Sequence, residues 1–394
     1  MLTLNGGSSS IRFAIYPTAT EKPLLSGKAD RIGTSRAALT VDARGDNAQR
    51  PLRIPGTDHR TAAGFLLDWL ESQPLFSSVR AVGHRVVHGA RHSAPQRITP
   101  TLVAELRRNV LFAPDHLPRE LALIEAMAHR SPHVAQVACF DTAFHRTMPP
   151  VATRLPIPRR YATRGVERYG FHGLSYEFLM SELARIAPAA AKGRVVLAHL
   201  GSGASVAAVL ASRSIDTSMG FTPASGLVMG TRTGDIDPGL AYYLARAEGM
   251  TTPQFQKMVN HDSGLLGVSA TSADIRDLLE REHRDSRAAE AVALFCYQVK
   301  KWIGGYAAAL GGIDTLVFAG GIGENAPLIR ERICDGLEFL GVTLHRSRNA
   351  RGAPLISTDR SPVDVRVIHT DEELMIARSV IRVLGLHTQA TGTR

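Results

Sequence analysis

Standard catalytic signatures are missing from this chain. It holds no GxxxxGK[ST] loop, no CxxC pair, no HExxH helix and no GxSxG elbow, which removes the P-loop, thiol-redox, zincin and serine-hydrolase chemistries those patterns carry. Cysteine is scarce. Cys139, Cys296 and Cys334 are odd in number, far apart and set among apolar residues, so they argue against a disulfide framework or a zinc site and predict buried thiols in a reducing cytoplasm. Aromatic residues make up 6%, which is few for the base-stacking platforms of nucleic-acid binders. No run is long and apolar enough to span a membrane. The N-terminus lacks a basic region followed by an apolar core, so no signal peptide is expected.

What is present is ordinary in amount and unusual in arrangement. A length of 394 residues, 44% hydrophobic and 21% charged, fits two or three domains, each able to bury a core. The net charge of +10 comes mostly from arginines spread evenly along the chain. That spread favours small anions as partners and predicts neither nucleic acid nor membrane.

The stretch "LTLNGGSSSIRFAIY" (2 to 16) places six small or polar residues, Asn5 to Ser10, between two apolar runs. A two-residue hairpin turn needs far fewer. The alternative is a phosphate cradle, in which backbone N–H groups freed of side-chain bulk wrap an anion. About 190 residues later "VVLAHLGSGASVAAVL" (195 to 210) repeats the design around Gly201 to Ser205. Self-similarity of this kind predicts two related halves, each offering a Gly/Ser hairpin to one phosphate chain, in a two-lobed protein that closes on its ligand.

Elsewhere β-like runs alternate with helical ones, giving an α/β protein with mixed sheets. Residues 287 to 310 form a long helix with Phe295, Val299, Trp302, Ile303, Tyr306 and Leu310 on one face. In "DTLVFAGGIGEN" a buried strand runs into a glycine turn, with Asn325 as N-cap and Pro327 just inside the next helix. Near the C-terminus, Thr370 to Glu373 matches a capping box. His84, His88 and His92 recur every four residues. Val86, Val87 and Gly89 favour a strand entering a turn there, so a metal-binding helix face is not expected. "HRDS" (283 to 286) echoes a kinase catalytic loop, but no DFG follows.

Charged residues then stand at the ends of apolar runs: Arg85, Asp141, His172, Arg232 and Glu372. Singly, each reads as a surface ion pair or a cap. Together with two phosphate-cradling hairpins, they are the parts of a phosphoryl-transfer site, which mainly positions and neutralises a charged group. Arginine suits that task because its rigid fork of donors matches phosphate geometry.

"NGGSSSIRFAI", "GHRVVHG", "FDTAFHRTMP", "RYGFHGLSY", "AHLGSGASV", "DTSMGFTPASGLVMGTRTGDIDPG", "FAGGIGENAPLIRERI" and "TDEELMIAR" together resemble the acetate kinase family of short-chain carboxylate kinases, in order and over nearly the whole chain. The resemblance implies an α/β, duplicated two-lobed acetate-and-sugar-kinase/Hsp70/actin (ribonuclease H-like) fold. Residues 1–148 with 370–394 would form the N-terminal lobe, and 149–369 the C-terminal nucleotide-binding and dimerisation lobe. It implies a cytoplasmic homodimer that uses ATP/ADP and Mg2+, with Mn2+ as a substitute. Asn5 and Glu372 would hold the metal. Arg85, Asp141, His172 and Arg232 would be catalytic, and Arg85, Val87, His116, Phe171 and Pro223 would bind the acid. The nucleotide would be held by Arg12, by His199, Leu200, Gly201, Ser202 and Gly203, by Asp274, Ile275 and Arg276, and by Gly321, Ile322, Gly323, Glu324 and Asn325.

A carboxylate acceptor is ionised near pH 7 and needs no base, so Asp141 is assigned to orienting an arginine or the metal's water. With a sugar hydroxyl as acceptor, Asp141 would instead be a general base. Two rival classes therefore stay open: a hydroxyl kinase on the same fold, and a non-enzymatic ATP-binding regulator. The chain departs from the family pattern at Gly7 (usually Cys), Arg12 (usually Lys), Ser202 (usually Asn), and in "FAPDHLP", where Asp115 and Leu117 replace Leu and Asn. A carboxylate facing a substrate methyl group is costly. Asp115 is therefore expected to point outward, with a larger or polar-tailed substrate as the alternative.

Overall fold

The computed structural model describes residues 1–7, 10–42, 50–56 and 58–386. Ser8 and Ser9 of the first small-residue loop lie outside the described residues, as does the C-terminal end of the expected N-terminal lobe. The chain divides into two compact units, one of Met1–Ala143 with Asp371–Arg394 and one of Phe144–Thr370.

In the first unit, β1 (Leu2–Gly6), β2 (Ile11–Ile15), β3 (Leu25–Asp30), β4 (Ala38–Asp42), β5 (Leu52–Arg53), β6 (Ala81–Val86), β7 (Gln96–Arg97) and β8 (Ala135–Phe140) form one sheet in the order 5-4-3-2-1-6-8-7. In the second, β9 (Arg194–Leu200), β10 (Ala204–Leu210), β11 (Arg213–Thr217), β12 (Thr315–Ala319) and β13 (Asp364–Val367) form a sheet in the order 11-10-9-12-13. The same five-strand motif recurs. An antiparallel meander (β1-β2-β3 or β9-β10-β11) is extended from its first strand by two parallel strands (β6, β8 or β12, β13). The duplication suggested by two hairpins is thus a duplication of topology. The inner strands are buried throughout, as in the run Thr315 to Ala319. Such near-continuous apolar runs belong to strands covered on both faces.

The core of the first unit joins Leu2, Leu4, Ile11, Phe13 and Ile15 of the sheet to Leu66, Leu67 and Leu70 of the helix His59–Glu71, and to Leu123 and Met127 of the helix Leu117–Arg130. The helix Glu372–Leu384 packs on β6 and β1. In the second unit the expected long helix runs Ser286–Leu310 and buries Phe295, Val299, Ile303 and Tyr306. It packs on β9 and β10. Trp302 and Leu310 are half-buried at its margin. Cys139, Cys296 and Cys334 are buried thiols, and no helix among the described residues is long and apolar enough to cross a membrane.

Three local expectations need correction. The C-terminal helix is capped by Asp371, whose side chain accepts from Leu374 N at 2.8 Å. Thr370 instead turns its hydroxyl to Ser175 at 2.8 Å. The GGIGEN segment is a short helix, Gly320–Asn325, and not a turn. Asn325 ends that helix by donating to Gly321 O at 3.0 Å, while the N-cap of the helix Pro327–Cys334 is Ala326. Aspartate outcompetes threonine at the first site because its ionised carboxylate also meets the positive end of the helix dipole.

Gly83 on β6 lies directly under the C-terminal helix, and a Cβ there would overlap the Cγ2 atoms of Ile376 and Val380. Overpacking of this kind costs about 1–3 kcal/mol. Gly83→Ala should lower the urea midpoint by a corresponding amount with an unchanged denaturant slope; an unaltered midpoint would show that the helix does not bear on β6.

Candidate active site

In the first unit the site grows from two adjacent parallel strand ends. Register pairs Arg85 of β6 with Cys139 of β8, and Asp141 follows β8 with its N–H donating to Val86 O at 3.0 Å. Arg85 donates from Nε (2.9 Å) and Nη2 (2.5 Å) to Asp141 Oδ2, and from Nη1 to Gly6 O at 3.1 Å. The Asp141 side chain is wholly buried and that of Arg85 is 13% exposed. Burial works against the guanidinium charge, yet Asp141, Glu372 and Glu120 more than offset it and hold its pKa above the usual arginine range. A charged fork is therefore fixed by one carboxylate at its rear and one carbonyl at its side. Such a fork matches the oxygens of a carboxylate or phosphate.

Asn5, on β1, bridges two carboxylates: its Nδ2 donates to Glu372 Oε2 at 2.8 Å and to Glu373 Oε1 at 3.0 Å. Glu373, expected only as part of a capping box, shares the Asn5 amide with Glu372. Burial first, then the Glu372 charge, raises the Glu373 pKa, while Arg12, opposite Asn5 on β2, pulls it down. No group of three or more His, Cys, Asp or Glu side chains arranged for a metal occurs among the described residues. Mg2+ typically takes one or two carboxylates and completes its shell with water and substrate phosphates. Two crowded carboxylates bridged by an amide oxygen-bearing side chain fit that demand.

Val87 is buried, and its N–H donates to Glu120 Oε2 at 3.0 Å. His116 precedes the helix Leu117–Arg130 and lines a cavity together with Arg85, Arg119 and Glu120. Leu117 is fully buried and Asp115 half-buried.

In the second unit the residues gather around the turn between β9 and β10. His172 sits in the left-handed region at φ 60° as N-cap of the helix Gly173–Ile186, a conformation rare outside glycine. Its Nδ1 meets Ser205 Oγ at 2.8 Å, and that hydroxyl is also bonded to Tyr176. The His199 ring lies 4.4 Å from that of His172, and its Nδ1 is held by Ser175 Oγ at 2.8 Å. A Cβ on Gly203 would stand 3.3 Å from His172 Nε2 and 3.4 Å from Arg232 Nη2. The missing side chain is what lets imidazole and guanidinium converge on the loop. Arg232 is tied back by Nη1 to Pro223 O at 2.7 Å, and Gly230 N donates to Ser202 O at 3.0 Å. Leu200 is buried at the end of β9.

The remaining expected nucleotide residues form two further groups. Asp274 caps the helix Ile275–Arg281 and pairs with Arg276 at the surface. The Gly320–Asn325 helix carries Gly321, Ile322, Gly323, Glu324 and Asn325. Gly320 at φ 75° lies so close to Leu200 O that no Cβ fits. Arg330, fully buried, donates to Gly323 O (2.8 Å) and Glu324 O (2.9 Å), and Glu324 accepts from Gly320 N (2.9 Å) and Thr370 N (3.1 Å). Phe171 is buried, and its carbonyl accepts from His145 Nε2 at 3.0 Å. Ser175, Ser205, Glu120, His145 and Arg330 escaped sequence reasoning. Only Ser205 carried a signal, as the last small residue of the second loop.

The profile of the acetokinase family matches residues 1–378. The chain belongs to that family. It is 46% identical over 391 residues to an acetate kinase of Rhodopseudomonas palustris (strain TIE-1), covering 97% of this chain and 98% of that protein. It is 42% identical over 390 residues to a propionate kinase of Citrobacter rodentium (strain ICC168), covering 97% and 96%. Among solved structures, a propionate kinase from Francisella tularensis superposes with a TM-score of 0.90 at 35% identity, covering 97% of this chain and 99% of that one. An acetate kinase from Porphyromonas gingivalis gives 0.86 at 36%, with the same coverage. The family identifies the chain as a carboxylate kinase with ATP as co-substrate, on the two-lobed acetate-and-sugar-kinase fold.

His84 and His145 are buried, and burial pulls both imidazoles down to about 4. Each is depressed below its unfolded value, so the stability each leaves intact above about pH 6.5 is lost as the pH falls toward 4, because only the unfolded state takes up the proton. Each histidine should contribute a fall of about 1.4 kcal/mol per pH unit over that window, read as the difference in urea stability between wild type and His84→Gln or His145→Gln, because burial raises the Glu120 carboxyl and so contributes with the opposite sign. A difference that does not change from pH 6.5 to 5 would mean that the substituted imidazole is not held neutral.

Proposed function

We propose that this acetokinase-family chain transfers the γ-phosphoryl group of ATP directly and in line to a carboxylate oxygen of acetate or another short-chain acid, reversibly, yielding the acyl phosphate and ADP. The observation that carries this reading is the Arg85–Asp141 pair. Both bonds from the guanidinium to the acid converge on Asp141 Oδ2, so the acid orients the arginine. An orienting acid suits an acceptor that arrives ionised, whereas a hydroxyl acceptor would require a carboxylate able to take its proton. The same pairing weighs against a pure nucleotide switch, which has no use for a second anion clamp.

Arg85 binds the acid, with Val87, His116, Phe171 and Pro223 shaping the rest of its site. Arg232 and His172, converging at Gly203, donate to the phosphoryl oxygens as charge spreads over them. His199 to Gly203, Arg12, Asp274 to Arg276 and Gly321 to Asn325 hold the nucleotide. Asn5 and Glu372 hold Mg2+ or Mn2+, which when bound supplies charge neutralisation of the phosphates. Because the groups are the same in both directions, the clamp serves the acyl phosphate equally well. Relatives named for acetate and for propionate support a short acyl chain.

We also propose a cytoplasmic homodimer, with the small acid and ATP as partners and neither nucleic acid nor membrane. Three buried thiols suit a reducing compartment. The helix Gly239–Ala247 buries none of its residues and exposes Tyr242 and Tyr243 at 73% and 62%, which suits a self-association surface.

Hydroxylamine trapping of acyl phosphate, with ATP, Mg2+ and a panel of short acids, should show turnover on acetate or propionate, and a coupled assay of ADP formation should show none with sugars. Arg232→Ala should lower that turnover by about 10³-fold or more, by analogy with arginine fingers. Turnover within a few-fold of wild type would remove Arg232 from the transition state.

A further inference from the structure

Glu120 is an acid whose chemistry the proposed mechanism does not use. It lies in the first turn of the helix Leu117–Arg130 and is 5% exposed. Its Oε2 accepts from Val87 N at 3.0 Å. Its Oε1 is buried, has no hydrogen-bond partner among the described residues, and belongs to a side chain lining the cavity shared with Arg85 and His116. A buried carboxylate with one oxygen unpartnered is costly. The same atom carrying a proton is part of a neutral group, which is far cheaper to bury.

Resting on the reading of Arg85 as acceptor clamp, we propose that Glu120 is a positioning residue of the acceptor site that works as a neutral acid. Its Oε2 anchors the Val87 amide, while its Oε1 holds a proton, so that no further negative charge faces the incoming carboxylate.

The charges around it support the neutral form. Arg85 on β6 faces Glu120, but its guanidinium is already engaged by Asp141 and also feels Glu372 from the C-terminal helix. From its own helix and the residue before it come Arg119 and His116; from the neighbouring helix comes His59; from β6 comes His84, bonded to Gln136. His59 is kept toward neutrality first by burial and then by Arg119, and His84 is neutral above about 4. Burial raises the Glu120 carboxyl, Arg85 and the Val87 N–H lower it, and Asp141 raises it again, with the result pushed up to about 8. Near pH 7 the cavity is thus lined by the guanidinium groups of Arg85 and Arg119 and by a neutral acid. Ionisation of Glu120 at higher pH would place a carboxylate in competition with the substrate for Arg85.

The test is the pH dependence of KM for the acid, read against kcat and KM for ATP, in wild type, Glu120→Gln and Glu120→Ala. In wild type the acceptor KM should rise about tenfold from pH 7 to pH 9, as a single ionisation near 8 requires, with kcat and the ATP KM nearly constant. Glu120→Gln keeps an acceptor for Val87 N and a neutral side chain of the same shape, so it should retain the low KM at pH 7 and lose the alkaline rise. Glu120→Ala should raise the KM at every pH. A readout independent of turnover is the carboxyl 13C resonance of labelled glutamate that disappears in Glu120→Gln, which should titrate near pH 8. An acceptor KM profile identical in wild type and Glu120→Gln, or a Glu120 resonance already ionised at pH 6, would overturn the neutral-acid role while leaving the kinase reading standing. Absence of turnover with every acid would overturn the Arg85 assignment, and the positioning role with it.

Discussion

One buried ion pair organises the acceptor half of this protein. Removing a guanidinium and a carboxylate from water is expensive, and their attraction repays the cost only where geometry and further hydrogen bonds are good. Here the Asp141 amide is tied to β6, its carboxylate takes two donors from Arg85, and the third arm of the guanidinium reaches the Gly6 carbonyl. Three strand ends, those of β1, β6 and β8, are thereby locked around one charge. The arginine is held by its acid and by the end of β1, so the fork is in place before any ligand arrives. Such preorganisation is what electrostatic catalysis requires.

The second unit solves a related problem with less charge and more backbone. Its sheet repeats the same strand order, and the turn between β9 and β10 occupies the position of the β1–β2 turn. Gly203 carries no side chain, so His172 and Arg232 close on it. Ser205 and Ser175 fix the two imidazoles by single hydroxyl bonds, and Phe171, whose carbonyl His145 holds, leads into the left-handed turn at His172. Glu324 and Arg330 brace the Gly320–Asn325 helix from opposite sides.

Much of this was legible in the residues. Small-residue loops between apolar runs announced both hairpins, and their repetition announced a duplication. The strand order that proves it is a long-range property that no local pattern encodes. Arg85 and Asp141 stood out as charges ending apolar runs, though 56 residues separate them and their union depends on the β6–β8 register. Glu120 was invisible. In "HLPRELALIEAM" it sits between Arg119 and Leu121 like any solvent-facing helix residue, and only tertiary burial distinguishes it. The capping error at Thr370 arose because Thr and Asp are adjacent and both cap well; the choice fell to Asp371 once Thr370 was drawn to Ser175. The helical GGIGEN segment defied glycine propensity because Arg330 and Glu324 hold its backbone groups, a tertiary override of a local preference.

Direct transfer is decided by which oxygen receives the phosphoryl group. Acetate labelled with 18O in both carboxylate positions, incubated with ATP, Mg2+ and the protein, gives a product whose 31P resonance reports the isotope bonded to phosphorus. Direct transfer to the carboxylate predicts acetyl phosphate with 18O in the bridging position and no label in the other phosphoryl oxygens. Unlabelled inorganic phosphate as the sole product would show that water, and not the acid held by Arg85, is the acceptor.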